Sequence, residues 1–133
     1  MKISILLPYK ENFSENYAGA VSIFVRDIII SSNFYKSTKV FGNTLFKKTF
    51  LKNNYVNIPL KKNFLKSTSK IYVEEFLKKE NIFNSDIIEV HNRPNYIKYL
   101  KNSKKKKILY FHNDPLSMTG SKKAEDRIFL LNH

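Results

Sequence analysis

Short apolar runs that stop at proline, glycine or histidine alternate with helical stripes along the chain, and this alternation restricts the fold more than any other feature. Residues 3–7 make the first run, ended by Pro8, and suit a strand buried on both faces. Val21, Phe24, Val25, Ile28 and Ile29 then fall at i, i+3, i+4, i+7 and i+8, the stripe of an amphipathic helix, with Gly19 and Ala20 at its start. Lys39, Val40 and Phe41 before Gly42 predict a short second strand, and residues 55–58 before Pro59 a third. Ser67 or Thr68 caps a helix running to Glu80, with Tyr72, Phe76 and Leu77 on its apolar side. A fourth strand ends at His91, and Pro94 opens a short helix through Leu100. Residues 104–107 read as a charged, solvated turn, with attraction to anionic lipid as the alternative. A fifth buried strand over 108–111 delivers His112, residues 115–120 are loop, and a last helix starts at Ser121 or Lys122 and includes Ile128 and Leu131. The alternation predicts an α/β fold: a Rossmann-like parallel sheet flanked by helices on both faces.

At 133 residues, 42% of them hydrophobic, the chain has enough material for one sizeable core, which excludes intrinsic disorder. Its opening apolar run is too short for a signal peptide, and no stretch approaches the roughly 18 apolar residues of a membrane span, so a cytoplasmic location is expected. The lack of cysteine excludes disulfides, a thiolate nucleophile and sulfur-ligated zinc. A net charge of +13 draws the chain toward polyanions, but only three of its 24 basic residues, Arg26, Arg93 and Arg127, are arginine. Readers of phosphate and base edges rely on arginine's planar fork, so the lysine excess argues against nucleic acid and leaves peripheral contact with an anionic membrane as the better use of the charge.

One phrase occurs twice: an apolar run ending in His-Asn-x-Pro, at His91-Asn92-Arg93-Pro94 and again at His112-Asn113-Asp114-Pro115. In an open parallel sheet the carboxyl ends of adjacent strands share the crevice where ligands bind, so both histidines are expected there. His112 is the leading catalytic candidate, because a neutral imidazole accepts a proton or hydrogen bond near pH 7, and Asn113 and Asp114 beside it suit hydroxyl groups. The plainer alternative is a strand-end histidine that ties its loop to a backbone carbonyl. Arg93 suits a phosphate or carboxylate, or a structural ion pair. Gly19 opens the first helix to close approach of a diphosphate at its amide groups, or merely relieves the backbone. With glycine only at 19, 42 and 120, neither a G-x-G-x-x-G fingerprint nor a P-loop can be written. A metal site from His91, His112, Asp114 and His133 lacks any helical ligand spacing, so no metal is expected. The Asn/Lys-rich stretch over 47–66 offers no motif.

These residues together resemble the amino-terminal half of bacterial family 4 glycosyltransferases of the GT-B fold. The resemblance lies in the opening strand, in Ala18-Gly19-Ala20-Val21-Ser22-Ile23-Phe24-Val25-Arg26-Asp27, in Ile88-Glu89-Val90-His91-Asn92-Arg93-Pro94 and in Tyr110-Phe111-His112-Asn113-Asp114-Pro115. It implies a retaining transferase that moves a sugar from a nucleotide-sugar to a glycan or lipid-linked acceptor without a metal cofactor, as in cell-surface polysaccharide or lipopolysaccharide synthesis. Residues 1–133 would form the acceptor-side domain, incomplete at the carboxyl end. His112 would line the reacting centre, while Gly19, Ala20, His91, Arg93, Asn113 and Asp114 bind substrate. Ala18 replaces the first glycine of the family's Gly-Gly pair. The family's donor-binding domain, with its paired glutamates and diphosphate-neutralising cations, lies outside these residues, so the chain alone is expected to bind without catalysing. The competing expectations are a small basic module for an anionic partner and a metal-dependent hydrolase.

Overall fold

The computed structural model describes residues 1–60 and 65–133; residues 61–64, within the Asn/Lys-rich stretch, lie outside the described residues. Five strands, β1 (Ile3–Leu6), β2 (Thr38–Gly42), β3 (Tyr55–Asn57), β4 (Ile87–His91) and β5 (Lys106–Tyr110), form one parallel sheet in the order β3-β2-β1-β4-β5. Helices α1 (Ala20–Ile30), α2 (Thr68–Phe83), α3 (Ile97–Leu100) and α4 (Ala124–Leu131) connect and flank them. The expected Rossmann-like α/β architecture is therefore present.

Strand periodicity divides the apolar residues between two cores. Ile5, Leu7 and Val40 pack against Val21, Val25 and Ile29 of α1, whereas Leu6, Phe41, Ile88 and Val90 pack against Tyr72, Val73 and Phe76 of α2 and Leu100 of α3. Each such side chain, removed fully from water, contributes about 1.5–3 kcal/mol. Ser67 caps α2 by accepting from the Lys70 amide, and Asn84 ends it in the left-handed region at φ 53°.

The loop after β1 touches both cores. Leu7 and Tyr9 at its start are held from the α2 side: the Tyr72 hydroxyl donates to the Leu7 carbonyl at 3.0 Å, and the Tyr96 hydroxyl accepts from the Tyr9 amide at 3.0 Å. Further along, Phe13 is buried on the α1 side, stacked on Tyr55 and edge-on to Phe50. Burial raises the Tyr72 hydroxyl pKa well above its ordinary value, so it stays protonated and remains a donor.

Three details differ from expectation. Lys106 and Lys107 belong to β5 rather than to a turn, and β5 is an edge strand with Ile108 44% and Tyr110 40% exposed, not a buried one. It pairs with β4 alone among the described strands, and Phe24 is the α1 side chain that packs on Tyr110. Lys105 is not solvated: its ammonium donates to Glu80 Oε1, Asn84 Oδ1 and the Ser85 carbonyl. Finally, α4 begins at Ala124 because buried Ser121 is spent closing the preceding loop, its hydroxyl donating to the Pro115 carbonyl at 2.6 Å.

Candidate functional site

The chain runs β1 to β3 outward in one direction, then crosses back to place β4 on the other side of β1. The carboxyl ends of β1 and β4 thus flank a topological switch point, the usual ligand crevice of an open α/β sheet. Three segments meet there: the loop after β1, the end of β4 and the residues that follow β5.

Alternation along β4 sends Ile88 and Val90 to the α2 side, leaving Glu89 and His91 on the α1 face. His91 pairs in register with Tyr110, and two residues further His112 returns to the same face. The result is a hydrogen-bonded chain: Glu89 Oε1 lies 2.5 Å from His91 Nε2, and His91 Nδ1 lies 2.8 Å from His112 Nε2. His91 is fully buried, and Phe24 covers the group from α1, edge-on to the His112 ring at a centroid distance of 5.0 Å. Asn92, held at φ 54°, donates its amide to the Tyr110 carbonyl and accepts the His112 amide on Oδ1, locking the ends of β4 and β5 together. Burial, and then the neighbouring His91, push the His112 pKa below 6.5, while Glu11 and Glu89 pull the other way.

Glu11 escaped the sequence reading. Its Oε1 accepts the Ser22 amide at 3.1 Å in the first turn of α1, where a diphosphate was expected, and a Cβ on Gly19 would run into this carboxylate. Gly19 has an ordinary φ of −78°, so it serves close approach rather than an unusual backbone. The positive end of the helix is satisfied by the chain's own anion. No local motif marks Glu11; an acidic side chain in the loop before the helix glycine of a cationic chain was the available signal.

The other candidates disperse. His91 reaches the crevice only through His112. Arg93 donates to the Asn92 carbonyl and lines a cleft of about 380 Å³ with Ser69, Asn95 and Met118. Asp114 Oδ1 accepts the Leu116 amide and so starts the short 3₁₀ turn Pro115–Ser117; Asn113 and Ala20 are exposed. His133 bonds to the Phe129 carbonyl and stacks on that ring. Among the described residues no three His, Asp or Glu side chains converge as a metal site, and both nitrogens of His91 are committed to hydrogen bonds. No described helix is long and apolar enough to cross a membrane.

The chain matches no protein-family model, no curated protein and no solved structure.

Proposed function

We propose that this chain is the acceptor-side domain of a GT-B glycosyltransferase of the family 4 type. Its acceptor is a glycan or lipid-linked saccharide of the cell surface, and transfer from a nucleotide-sugar retains the anomeric configuration. The work is done in the cytoplasm against the inner membrane face, where the lysine-rich surface meets anionic lipid. In enzymes of this type donor binding belongs to a separate domain, so the part assigned to these residues is acceptor binding.

One observation carries the reading: at the switch-point crevice the loop after β1 presents the Glu11 carboxylate, bonded to the Ser22 amide, and the residues after β5 present His112, whose Nε2 is taken by His91 and whose other ring nitrogen is left over. Both accept hydrogen bonds, and a pair of acceptors suits the hydroxyls of a neutral sugar. A diphosphate, in contrast, would be repelled by Glu11 where it stands. Donor phosphates therefore belong to the other domain, and the resemblance assigns this domain the acceptor.

The test is titration of the ¹⁵N-labelled chain with a neutral, dephosphorylated core oligosaccharide, with UDP, and with phosphatidylglycerol vesicles. The Ser22 amide and His112 ring resonances are expected to shift with the oligosaccharide and to stay in place with UDP. Failure of the oligosaccharide to move them would overturn the reading. Vesicle binding without that response would replace it with a basic module for anionic surfaces.

A further inference from the structure

We propose that Glu89 and His91 are positioning residues that set the tautomer of His112 and store the proton it takes up. The inference rests on the reading of His112 as the group that meets the acceptor hydroxyl, and it extends inward to buried His91 and to Glu89 behind it.

The hydrogen-bond chain has one consistent direction when both imidazoles are neutral. The Glu89 carboxylate only accepts, so His91 carries its proton on Nε2, which lies 2.5 Å from Oε1. His91 Nδ1 is then a bare acceptor, and His112 must donate Nε2–H to it across 2.8 Å. This leaves His112 Nδ1 as the lone-pair nitrogen, with no hydrogen-bond partner among the described residues. Without the buried pair either tautomer of His112 would serve; with it, one is selected.

The same chain moves charge inward. A proton leaving a bound hydroxyl forms a bond to His112 Nδ1, and the O–H electron pair stays on the oxygen. The Nε2–H bond of His112 breaks as its proton passes to His91 Nδ1. His112 ends neutral with Nδ1–H, and the cation rests on His91 against the Glu89 carboxylate. The groups facing this chain are Glu11 from the loop after β1, Tyr110 from β5 and the uncharged ring of Phe24 from α1. Among the described residues no lysine or arginine joins the hydrogen-bonded chain to oppose a cation on His91. Glu89 is 16% exposed and His91 fully buried, so the stored charge is screened little by water.

Long-range ¹⁵N–¹H spectra of the histidine rings test this, because they report which nitrogen holds the proton. The wild-type chain at pH 8 is expected to show Nε2–H on both His91 and His112. Glu89→Gln, which keeps an acceptor oxygen but removes the charge, is expected to lower the first titration midpoint of the pair by about one pH unit or more. His91→Gln provides a second route: His112 then loses its tautomer preference while the fold is checked by the dispersion of the remaining amides. An Nδ1–H tautomer on wild-type His112, or a midpoint unmoved by Glu89→Gln, overturns the relay. Adding the neutral core oligosaccharide separates the two claims. Correct tautomers with no saccharide response leave the relay standing and remove the acceptor reading; a saccharide response with the wrong tautomer does the reverse.

Discussion

Two carboxylates are tied across β4 and β5, one at each end of the strands, and they are finished in opposite ways. At the amino end Glu80, fully buried, accepts on Oε1 from the Ser85 amide at 2.9 Å, the Ser85 hydroxyl at 2.7 Å and the Lys105 ammonium at 3.0 Å. Lys105 spends its other donors on Asn84 and Ser85, so every hydrogen of the cation is used inside the protein. At the carboxyl end Glu89 meets an imidazole, and the chain that starts there ends at a ring edge with a free acceptor. A permanent cation with every hydrogen used makes a fastening, even with Glu80 Oε2 left buried and unpartnered; a titratable one on an open chain makes a site. Glu80 on α2 and Glu89 on β4 differ in the partner each meets, and that partner separates structure from chemistry.

The largest effect should come from breaking the closed cluster. Lys105→Met leaves the Glu80 carboxylate buried without its cation and is expected to cost about 3–5 kcal/mol of unfolding free energy in urea at pH 7. A loss under about 1 kcal/mol would mean that the amino-end pair is no more structural than a surface bridge. A smaller effect is expected at the open end from Gly19→Ala. Its φ suits alanine, but the new methyl displaces the flexible Glu11 carboxylate from the Ser22 amide, at about 0.5–1 kcal/mol for a lost cap. An unshifted Ser22 amide resonance would show that Glu11 does not hold that position. The smallest effect is in the pH dependence. Because the folded pKa of His112 lies below 6.5, the unfolded chain takes up the proton first as pH falls. The stability due to the neutral ring is complete above pH 6.5 and declines as pH drops from there to the folded pKa. His112→Gln should flatten this slope; equal slopes in wild type and His112→Gln would remove His112 from the account.

The lesson for sequence reading follows from the range over which each signal acts. Strands and helices announced themselves through local patterns: the run before Pro8, the stripe from Val21 to Ile29 and the Ser67 cap all lie where those patterns place them. The repeated His-Asn phrase directed attention to His91 and His112, which the register of β4 on β5 brings into contact. Glu89 was hidden inside a strand read as apolar, because the alternation that exposes it to α1 becomes visible only once both faces are assigned. Glu11 and Lys105 were illegible for another reason. Their partners stand 11 and 25 residues away, and pairing at that distance is set by the fold rather than by any window of sequence. The edge position of β5 was illegible for the same reason, since nothing in residues 106–110 states how many neighbours the strand will have.

The loop after β1 has a consequence for how the molecule opens. It is clasped by Tyr72 and Tyr96 from one core and by Phe13 in the other, so neither layer can loosen without disturbing the loop between them. Amide exchange should therefore report one cooperative unit rather than two, with the Leu7 and Tyr9 amides opening together with both layers. Such coupling makes the crevice rigid from beneath: Glu11 rides on a segment whose motion would require both halves of the interior to yield together.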